Sequence, residues 1–227
     1  MKKIKVLYED SNILAVEKPS GVLTCPDQRS KEKTVFDLFL KEYPKIELVH
    51  RLDRDTSGVL LFAKNKKAHE FLKKQFQDRT IRKTYVAIVN GSVKNDHGTI
   101  NKPIGRSPSD FRRWLAGRGA RGTLREAITE YKVLKRFEIS KNKYTYLEVH
   151  PKTGRTHQIR VHMKFLNHPV VCDSLYNANG PCPKDIARMA LHAKSIEFNL
   201  PAQAGDLKGK TIKVESPVPL MFKKMIK

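Results

Sequence analysis

Residues 50–58 read His-Arg-Leu-Asp-Arg-Asp-Thr-Ser-Gly, and the apolar run Val59–Ala63 follows at once. A short polar turn that leads into a continuous apolar run is typical of a loop entering a buried strand. The turn carries a carboxylate, Asp53, between two arginines, Arg51 and Arg54. Positive charge on both sides favours the ionised form of a carboxylate, which can act as a nucleophile or a base. The stretch therefore predicts a catalytic loop at a strand end or, alternatively, a charged surface turn.

The charge of the chain indicates a polyanionic partner. Its 227 residues include 45 Lys and Arg against 23 Asp and Glu, a formal net charge of +22 with a pI near 10.0. A surplus of this size favours nucleic acid, and the absence of a basic amphipathic pattern with a wide apolar face argues against a membrane surface. A ribosomal or packaging protein could carry the same charge, so charge alone does not predict catalysis.

The cysteines and the apolar segments predict a soluble protein of a reducing compartment, the cytoplasm. Cys25, Cys172 and Cys182 are scattered without a CxxC pair, which argues against a disulfide framework and a structural zinc site. Acidic residues follow the first lysines before any signal-peptide core is complete, and no apolar stretch is long enough to span a membrane.

The hydrophobic pattern predicts an α+β fold, in one domain over residues 1–227, with a mostly antiparallel mixed sheet flanked by helices and loops. Thr34 and Asn65 are suitable N-caps for two helices, and a third helix is expected from about Thr156. Alternating or short continuous apolar runs mark the strands. The predicted strands are residues 4–8, 13–16, 59–63, 84–89, about 127–136, 143–150, 189–198 and 212–214.

Four ordered blocks of sequence resemble the RluA family of RNA pseudouridine synthases. HRLDRDTSG at 50–58 is similar to the family signature, and three further blocks occur in the expected order. They are ILAVEKPSGVL at 13–23, RKTYVAIVNG at 82–91 and KTGRTHQIRVH at 152–162. The resemblance runs from about residue 4 to about residue 220. Family members often carry an additional N-terminal RNA-binding domain, so a pattern that begins at residue 4 predicts a stand-alone catalytic domain.

The resemblance implies an enzyme that isomerises uridine in RNA. The reaction detaches uracil from C1′ of the ribose, turns the ring and reattaches it through C5, so it needs no cofactor and no metal. The target base is stacked in the RNA and has to be flipped into a pocket. We therefore expect a monomer that acts on transfer RNA or ribosomal RNA without a small-molecule cofactor.

The resemblance also implies roles for individual residues. Asp53 aligns with the catalytic aspartate, and three roles fit it: attack on C1′, addition to the uracil ring, or removal of the 2′ proton. Asp55 is the alternative carboxylate, with a turn-forming role expected. Arg160 matches the arginine that pairs with the catalytic aspartate through its two-pronged guanidinium. Tyr85 matches the tyrosine that stacks on the flipped base, and Leu191 resembles the apolar wall opposite.

Several basic residues are candidates for RNA contact. Arg51 resembles the residue that enters the base stack, and Arg54 and Arg155 are expected to contact the RNA, Arg155 through a phosphate at the start of a helix. His50 is interpreted as structural, because no Ser or Cys nucleophile accompanies it. Two alternative functions stay open: an inactive RNA-binding module with this fold, and a base-modifying enzyme that uses Cys25 as nucleophile.

Residues 102–125 differ in composition from the rest of the chain. They contain seven basic residues, four glycines and Trp114, with Asp110 the one acidic residue. Because a glycine-rich basic stretch supplies little core, we expect a mobile arm that closes on RNA. Its arginines would contact phosphates and Trp114 would stack on a base. The alternative is a solvated hairpin that only connects strands. The arginines in question are Arg112, Arg113 and Arg118.

Overall fold

The computed structural model describes residues 4–27, 32–200 and 209–226. The helices are α1 (Val35–Glu42), α2 (Lys66–Gln77), α3 (Gln158–Phe165) and α4 (Leu220–Met225). The strands are β1 (Val6–Glu9), β2 (Ile13–Lys18), β3 (Glu47–Leu48), β4 (Ser57–Ala63), β5 (Arg82–Asn90), β6 (His97–Asn101), β7 (Ile104–Arg106), β8 (Trp114–Ala116), β9 (Arg121–Arg125), β10 (Ile128–Ile139), β11 (Asn142–Pro151), β12 (Leu191–Asn199) and β13 (Thr211–Glu215).

The chain forms two compact units. Unit 1 comprises residues 1–83 and 193–217, and unit 2 comprises residues 84–192 and 218–227. The pairings of β2 with β1 and β4, of β3 with β4, and of β12 with β13 are antiparallel, as are those of β11 with β5 and β10, of β10 with β6, and of β7 with β8 and β9. Strands outnumber helices in both units, which confirms the predicted α+β class with its mostly antiparallel sheet.

Unit 1 is built around the apolar strand β4. Every residue of β4 is buried, because β2 and β3 pair with it while helices pack nearby. The predicted hairpin of β1 with β2 is present, as is the pairing of β12 with β13. At the start of β4, Gly58 has φ 116°, and a Cβ there would collide with the carbonyl oxygen of Ala193. Only glycine fits this position, which accounts for the last residue of the signature block.

Both predicted helix caps in unit 1 are confirmed. Thr34 forms a capping box with Asp37 at the start of α1, so the Thr34 side chain accepts the Asp37 N–H and the carboxylate accepts the Thr34 N–H. The Asn65 side chain accepts the Ala68 N–H at 2.9 Å at the start of α2. Short polar side chains at these two positions fix where each helix begins.

Unit 2 contains a sheet in the order β5-β11-β10-β6, packed with α3 around its own core. The helix predicted from about Thr156 begins at Gln158, with His157 at the N-cap in a left-handed conformation (φ 55°). The core cluster includes Val86, Ile88, Leu147, Val149, Ile159, Met163 and Leu191.

Residues 102–125 supply core, contrary to expectation. They contain a three-stranded sheet in the order β8-β7-β9. Ile104 of β7 is 1% exposed and packs with Val161 and Tyr176, while Trp114 lies against the same cluster. Ile104, Trp114 and Ala116 lie on one face of this sheet, and Arg106 and Arg125, which pair with Trp114 and Ile104 across the strands, share that face. The stretch is therefore a small structured sheet and not a segment without core contacts.

One disulfide is present that the cysteine pattern did not predict. Cys172 and Cys182 form a disulfide, with their Cα atoms 5.0 Å apart, while Cys25 is a free, half-buried thiol. A disulfide requires the two Cα atoms to be close in space, and a separation of ten residues along the chain does not show whether they are. Among the described residues, no helix is long and apolar enough to cross a membrane.

Candidate active site

The loop that carries Asp53 is held by a lysine side chain from the preceding motif. Lys18 is fully buried, at 0% exposure, at the end of β2. Its ammonium group donates to the carbonyl oxygens of Pro19 (2.9 Å), Val22 (2.5 Å) and Arg54 (2.8 Å). Three charge-assisted hydrogen bonds to main-chain oxygens tie the 19–22 turn to the residue directly after Asp53.

Two hydroxyl groups and a main-chain N–H complete this clamp. Thr24 donates to the Leu52 carbonyl at 2.7 Å and accepts the Leu52 N–H at 3.2 Å. Ser20 donates to the Asp55 carbonyl at 2.7 Å, and the Gly21 N–H donates to the Arg54 carbonyl at 2.9 Å. The main chain on both sides of Asp53 is therefore fixed, while the Asp53 side chain is half-buried.

His50 is structural, as interpreted from the sequence. Its Nε2 accepts the Leu61 N–H at 2.9 Å, and its ring stacks on Phe76 with centroids 5.1 Å apart. Burial, with a smaller contribution from the charge of Lys83, lowers the pKa of His50 to about 3. The ring is neutral at physiological pH and its Nε2 is occupied, so it supports β4 and is not placed to act as a base.

The two arginines beside Asp53 differ in their surroundings. Arg51 is exposed. Arg54 forms a two-pronged ion pair with the exposed Glu32, at 2.9 Å and 3.1 Å, and its Nε donates to the Gly21 carbonyl at 3.2 Å. An exposed pair of this kind adds little stability, so the Arg54 guanidinium can leave Glu32 at small cost.

In unit 2, Arg160 forms a buried ion pair that the sequence did not predict. The Arg160 and Asp173 side chains are 6% and 0% exposed, and they join through hydrogen bonds of 2.7 Å and 2.9 Å. Asp173 also accepts the N–H groups of Leu175 and Tyr176, and the Arg160 guanidinium lies 5.0 Å from the Tyr176 ring centroid. Burial alone would raise the pKa of Asp173, but the hydrogen bonds and charge of Arg160 outweigh it and hold that pKa below its ordinary value.

Other residues of the 152–162 block anchor the start of α3. The Gln158 side chain accepts from the Thr153 hydroxyl and the Arg155 N–H, and donates to Ile128 and Thr129 of β10. The buried side-chain amide of Gln158 therefore links the loop before α3 to the strand β10.

His162 sits further along the same helix, with one ring nitrogen on the Thr129 hydroxyl and the other on the Lys102 carbonyl. Burial lowers its pKa, so the ring is neutral and structural. Among the described residues no cluster of three or more potential metal ligands occurs.

The Asp53 loop and the Arg160 helix both lie within a stretch that matches a known protein family. Residues 12–165 match the family model described as RNA pseudouridylate synthase. The chain belongs to this family. The model spans more than half of the chain and includes the Asp53 loop and the Arg160 helix. The synthase is accordingly an enzyme that isomerises uridine in RNA, as the resemblance implied.

Individual relatives agree with this assignment. The synthase is 35% identical over 229 residues to the uncharacterized RNA pseudouridine synthase YhcT of Bacillus subtilis, covering 98% of the chain and 71% of the relative. It is 37% identical over 208 residues to ribosomal large subunit pseudouridine synthase D of Borreliella burgdorferi, covering 87% and 61%. The human RNA pseudouridylate synthase domain containing 1 superposes with a TM-score of 0.76 at 26% identity, covering 95% and 84%. These matches confirm the RluA-type resemblance.

The remaining predicted residues of the synthase lie in unit 2. Tyr85 is half-buried on β5, opposite Val149 of β11. Leu191, at the start of β12, is 3% exposed and belongs to the core cluster. Arg112 and Arg113 both pair with Asp110, whereas Arg118 is exposed. Arg155 is partly exposed, and its Nε donates to the Glu126 carbonyl at 2.8 Å.

Sequence reasoning missed Asp173, Tyr176 and the clamp made by Lys18 and Thr24. Asp173 follows an apolar pair in Val-Val-Cys-Asp, thirteen residues after Arg160, and no spacing rule links the two. For Lys18 a signal existed, since a lysine directly after a buried apolar strand needs a partner for its ammonium group. The partners are main-chain carbonyls, which no pattern of side chains identifies.

Proposed function

We propose that the synthase isomerises particular uridines of structured RNA, in ribosomal RNA or transfer RNA, with Asp53 as its catalyst. The observation that carries this proposal is the clamp on the Asp53 loop, where Lys18, Ser20 and Thr24 bind main-chain groups of residues 52–55. A carboxylate on a rigid loop can be held in one geometry for a flipped base, which is the condition for efficient catalysis. Ribosomal RNA is supported by the relatives named ribosomal large subunit pseudouridine synthase D.

We assign supporting roles to residues of unit 2 on the family resemblance. Arg160 is the ion-pair partner of Asp53, Tyr85 stacks on the flipped uracil, and Leu191 is the apolar wall. The hydrogen bonds of Arg160 with Asp173 support the proposed pairing with Asp53. They fix the orientation of the guanidinium, so its remaining N–H groups point in one direction. In the reaction the bond from C1′ to N1 breaks, the ring turns, and a bond from C1′ to C5 forms; C5 releases its proton and N1 takes up a proton, so the product is an isomer of uridine.

The exposed basic residues would bind the RNA outside the pocket. Arg51 enters the stack in place of the extruded base, and the phosphate contacts come from Arg54, Arg112, Arg113, Arg118 and Arg155. These contacts position the RNA and give affinity, whereas the pocket selects the base. We further propose that the chain works as one catalytic domain, as a monomer in the cytoplasm and without a cofactor.

The experiment that tests this function follows the C5 proton. RNA labelled with tritium at uridine C5 releases tritium to water when the uracil ring is reattached through C5, and without an added methyl donor no C5 methylation contributes to that release. We expect release from RNA of cells that lack the protein, and modified positions that map to ribosomal or transfer RNA. Tight binding of this RNA with no release would instead identify an inactive RNA-binding module.

A further inference from the structure

A polar cavity of about 70 Å³ lies in unit 2, and its lining includes neither Arg160 nor Tyr85. It is lined by Ile104, Trp114, Arg125, Gly154, Arg155 and Thr156. One water needs about 10–15 Å³ by this measure, so the cavity has room for a polyatomic group such as a phosphate. It lies where the β7–β9 sheet meets the loop that precedes α3.

The two arginines of the cavity lack the counter-charge that other arginines have. Among the described residues, no carboxylate pairs with Arg125 or Arg155. Their charges repel each other unless an anion lies between them, and two guanidinium groups match the oxygens of a phosphate. Five other arginines pair with Asp or Glu: Arg54 with Glu32, Arg112 and Arg113 with Asp110, Arg136 with Asp96, and Arg160 with Asp173.

The main chain around the cavity is held in place without an anion. The Arg155 N–H donates to Gln158 Oε1 at 3.0 Å, and the Arg155 Nε donates to the Glu126 carbonyl at 2.8 Å. The residue Arg125 is paired with Ile104 in the β7–β9 ladder. Both guanidinium groups therefore extend from fixed backbone, which reduces the entropy lost when a ligand binds.

Trp114 forms a wall of this cavity and is anchored on two sides. Its main-chain N–H donates to the Tyr176 hydroxyl at 3.0 Å, and the Arg106 guanidinium lies 4.3 Å from its ring centroid. Because the Arg106 guanidinium already stacks on the indole, less of the ring is available to stack on a base. We therefore expect Trp114 to line a phosphate site and not to stack on a base.

We infer that this cavity binds one internal phosphate of the substrate RNA, at a place separate from the flipped uridine. The inference rests on the proposed function for the identity of the polyanion. An RNA strand is favoured over a free phosphate ion because every residue of β9 is exposed, so a strand leaving the cavity meets Arg121 next. A neighbouring phosphate of the same strand can contact Arg121 while the cavity holds one phosphate, which a single free ion cannot do.

The test uses the fact that Trp114 is the one tryptophan of the chain. Its emission is recorded during titration with unfractionated transfer RNA, and separately with inorganic phosphate at constant ionic strength. Arg125→Ala and Arg155→Ala are compared with Lys74→Ala, which removes one charge from an exposed ion pair on α2. We expect RNA to change the emission of the wild-type protein, and each cavity variant to lower the slope of log K against log salt by about 0.7–0.9.

The variant that carries both Arg125→Ala and Arg155→Ala shows whether the two arginines bind the same phosphate or two different ones. If both arginines bind the same phosphate, the double variant weakens RNA binding by less than the product of the two single effects. An emission that RNA leaves unchanged, or slopes that match that of Lys74→Ala, would overturn the inference. So would inorganic phosphate producing the change that RNA produces, since the site would then take a free anion.

The outcome is distinguishable from failure of the proposed function. Tritium release by the wild-type protein without any Trp114 response to RNA would overturn the phosphate site alone. A Trp114 response that depends on Arg125, in a protein that releases no tritium, would support the phosphate site and leave the proposed isomerisation without support.

Discussion

The Asp53 loop of unit 1 and the Arg160 helix of unit 2 are made rigid in different ways. The loop is held through its main chain, by hydrogen bonds from Lys18, Ser20 and Thr24. Arg160 is held through its side chain, by a buried carboxylate and the ring of Tyr176. A main-chain clamp tolerates changes to the side chains of the loop it holds, whereas a buried ion pair fails when either partner changes.

The difference has an energetic consequence. When one member of a buried ion pair is neutralised, the other charge stays in a site of low dielectric constant and has lost its partner, at a cost of about 3–5 kcal/mol. When one donor of the main-chain clamp is lost, the remaining hydrogen bonds still hold the loop. Stability should therefore depend more on Asp173 than on any single residue of the clamp.

Asp173→Asn is expected to have the largest effect on stability. The substitution keeps the shape of the side chain but removes the buried negative charge of Asp173 from beside the Arg160 guanidinium, so the free energy of unfolding should fall by about 3–5 kcal/mol. Urea unfolding followed by circular dichroism measures it. Asp78→Asn, at an exposed pair with Lys74, is the matched control and should change stability by less than about 1 kcal/mol. Equal effects of the two variants would remove the proposed difference between the regions.

Lys18→Met should cost less, about 2–3 kcal/mol, because three carbonyl groups lose a charged donor while a buried charge is also removed. Because Thr24 and Ser20 still hold the Asp53 loop, we expect reduced but measurable tritium release from the folded variant. Thermal unfolding and turnover are measured together, with the exposed Lys67→Met as control. Wild-type stability in Lys18→Met would mean that the lysine does not hold the loop.

Cys182→Ser tests whether the disulfide adds to the rigidity of the Asp173 region. The bond closes a short loop that contains Asp173 and Tyr176, so its loss should lower the free energy of unfolding by about 2 kcal/mol under oxidising conditions. With excess reductant, the variant and the wild-type protein should unfold alike. A difference that persists in reductant would assign the effect to packing of the Cys182 side chain.

His50→Gln tests the pH dependence of unit 1. The pKa of His50 is about 3 in the folded protein and about 6.5 in the unfolded chain, so between these values only the unfolded chain takes up the proton. Stability should therefore fall as the pH drops from about 6.5 towards 3. The Gln variant can still accept the Leu61 N–H. Between pH 7 and pH 5, its free energy of unfolding should fall by about 1–2 kcal/mol less than that of the wild-type protein. Parallel stability curves for the two proteins would contradict a neutral, buried His50.

Local signals in the sequence were sufficient for most of the secondary structure. The caps at Thr34 and Asn65 and the apolar run Val59–Ala63 were predicted correctly, because each depends on neighbours along the chain. The sheet of β7, β8 and β9 was not predicted, because Ile104 contacts residues distant in sequence, Val161 and Tyr176. Glycines at the turns also interrupt the alternation of apolar and polar residues in this stretch.

The candidate site was predictable only in part. The family motif makes Asp53 and Arg160 candidates by resemblance, but the residues that hold their surroundings have no local signature. Lys18 bonds to Arg54 across 36 residues, and Arg160 bonds to Asp173, which lies at the start of the loop that the disulfide closes. Contacts of this kind depend on the folded path of the chain, so periodicity and composition do not report them.

The most direct test of the account compares Asp53→Asn with Asp55→Asn in tritium release from C5-labelled uridine RNA. Both carboxylates are half-buried in the same clamped loop, so the pair separates chemistry from loop structure. We predict that Asp53→Asn abolishes release while it binds RNA within a few-fold of the wild-type protein, and that Asp55→Asn retains turnover. Release by Asp53→Asn near the wild-type rate, or loss confined to Asp55→Asn, would contradict the assignment of Asp53 as the catalyst.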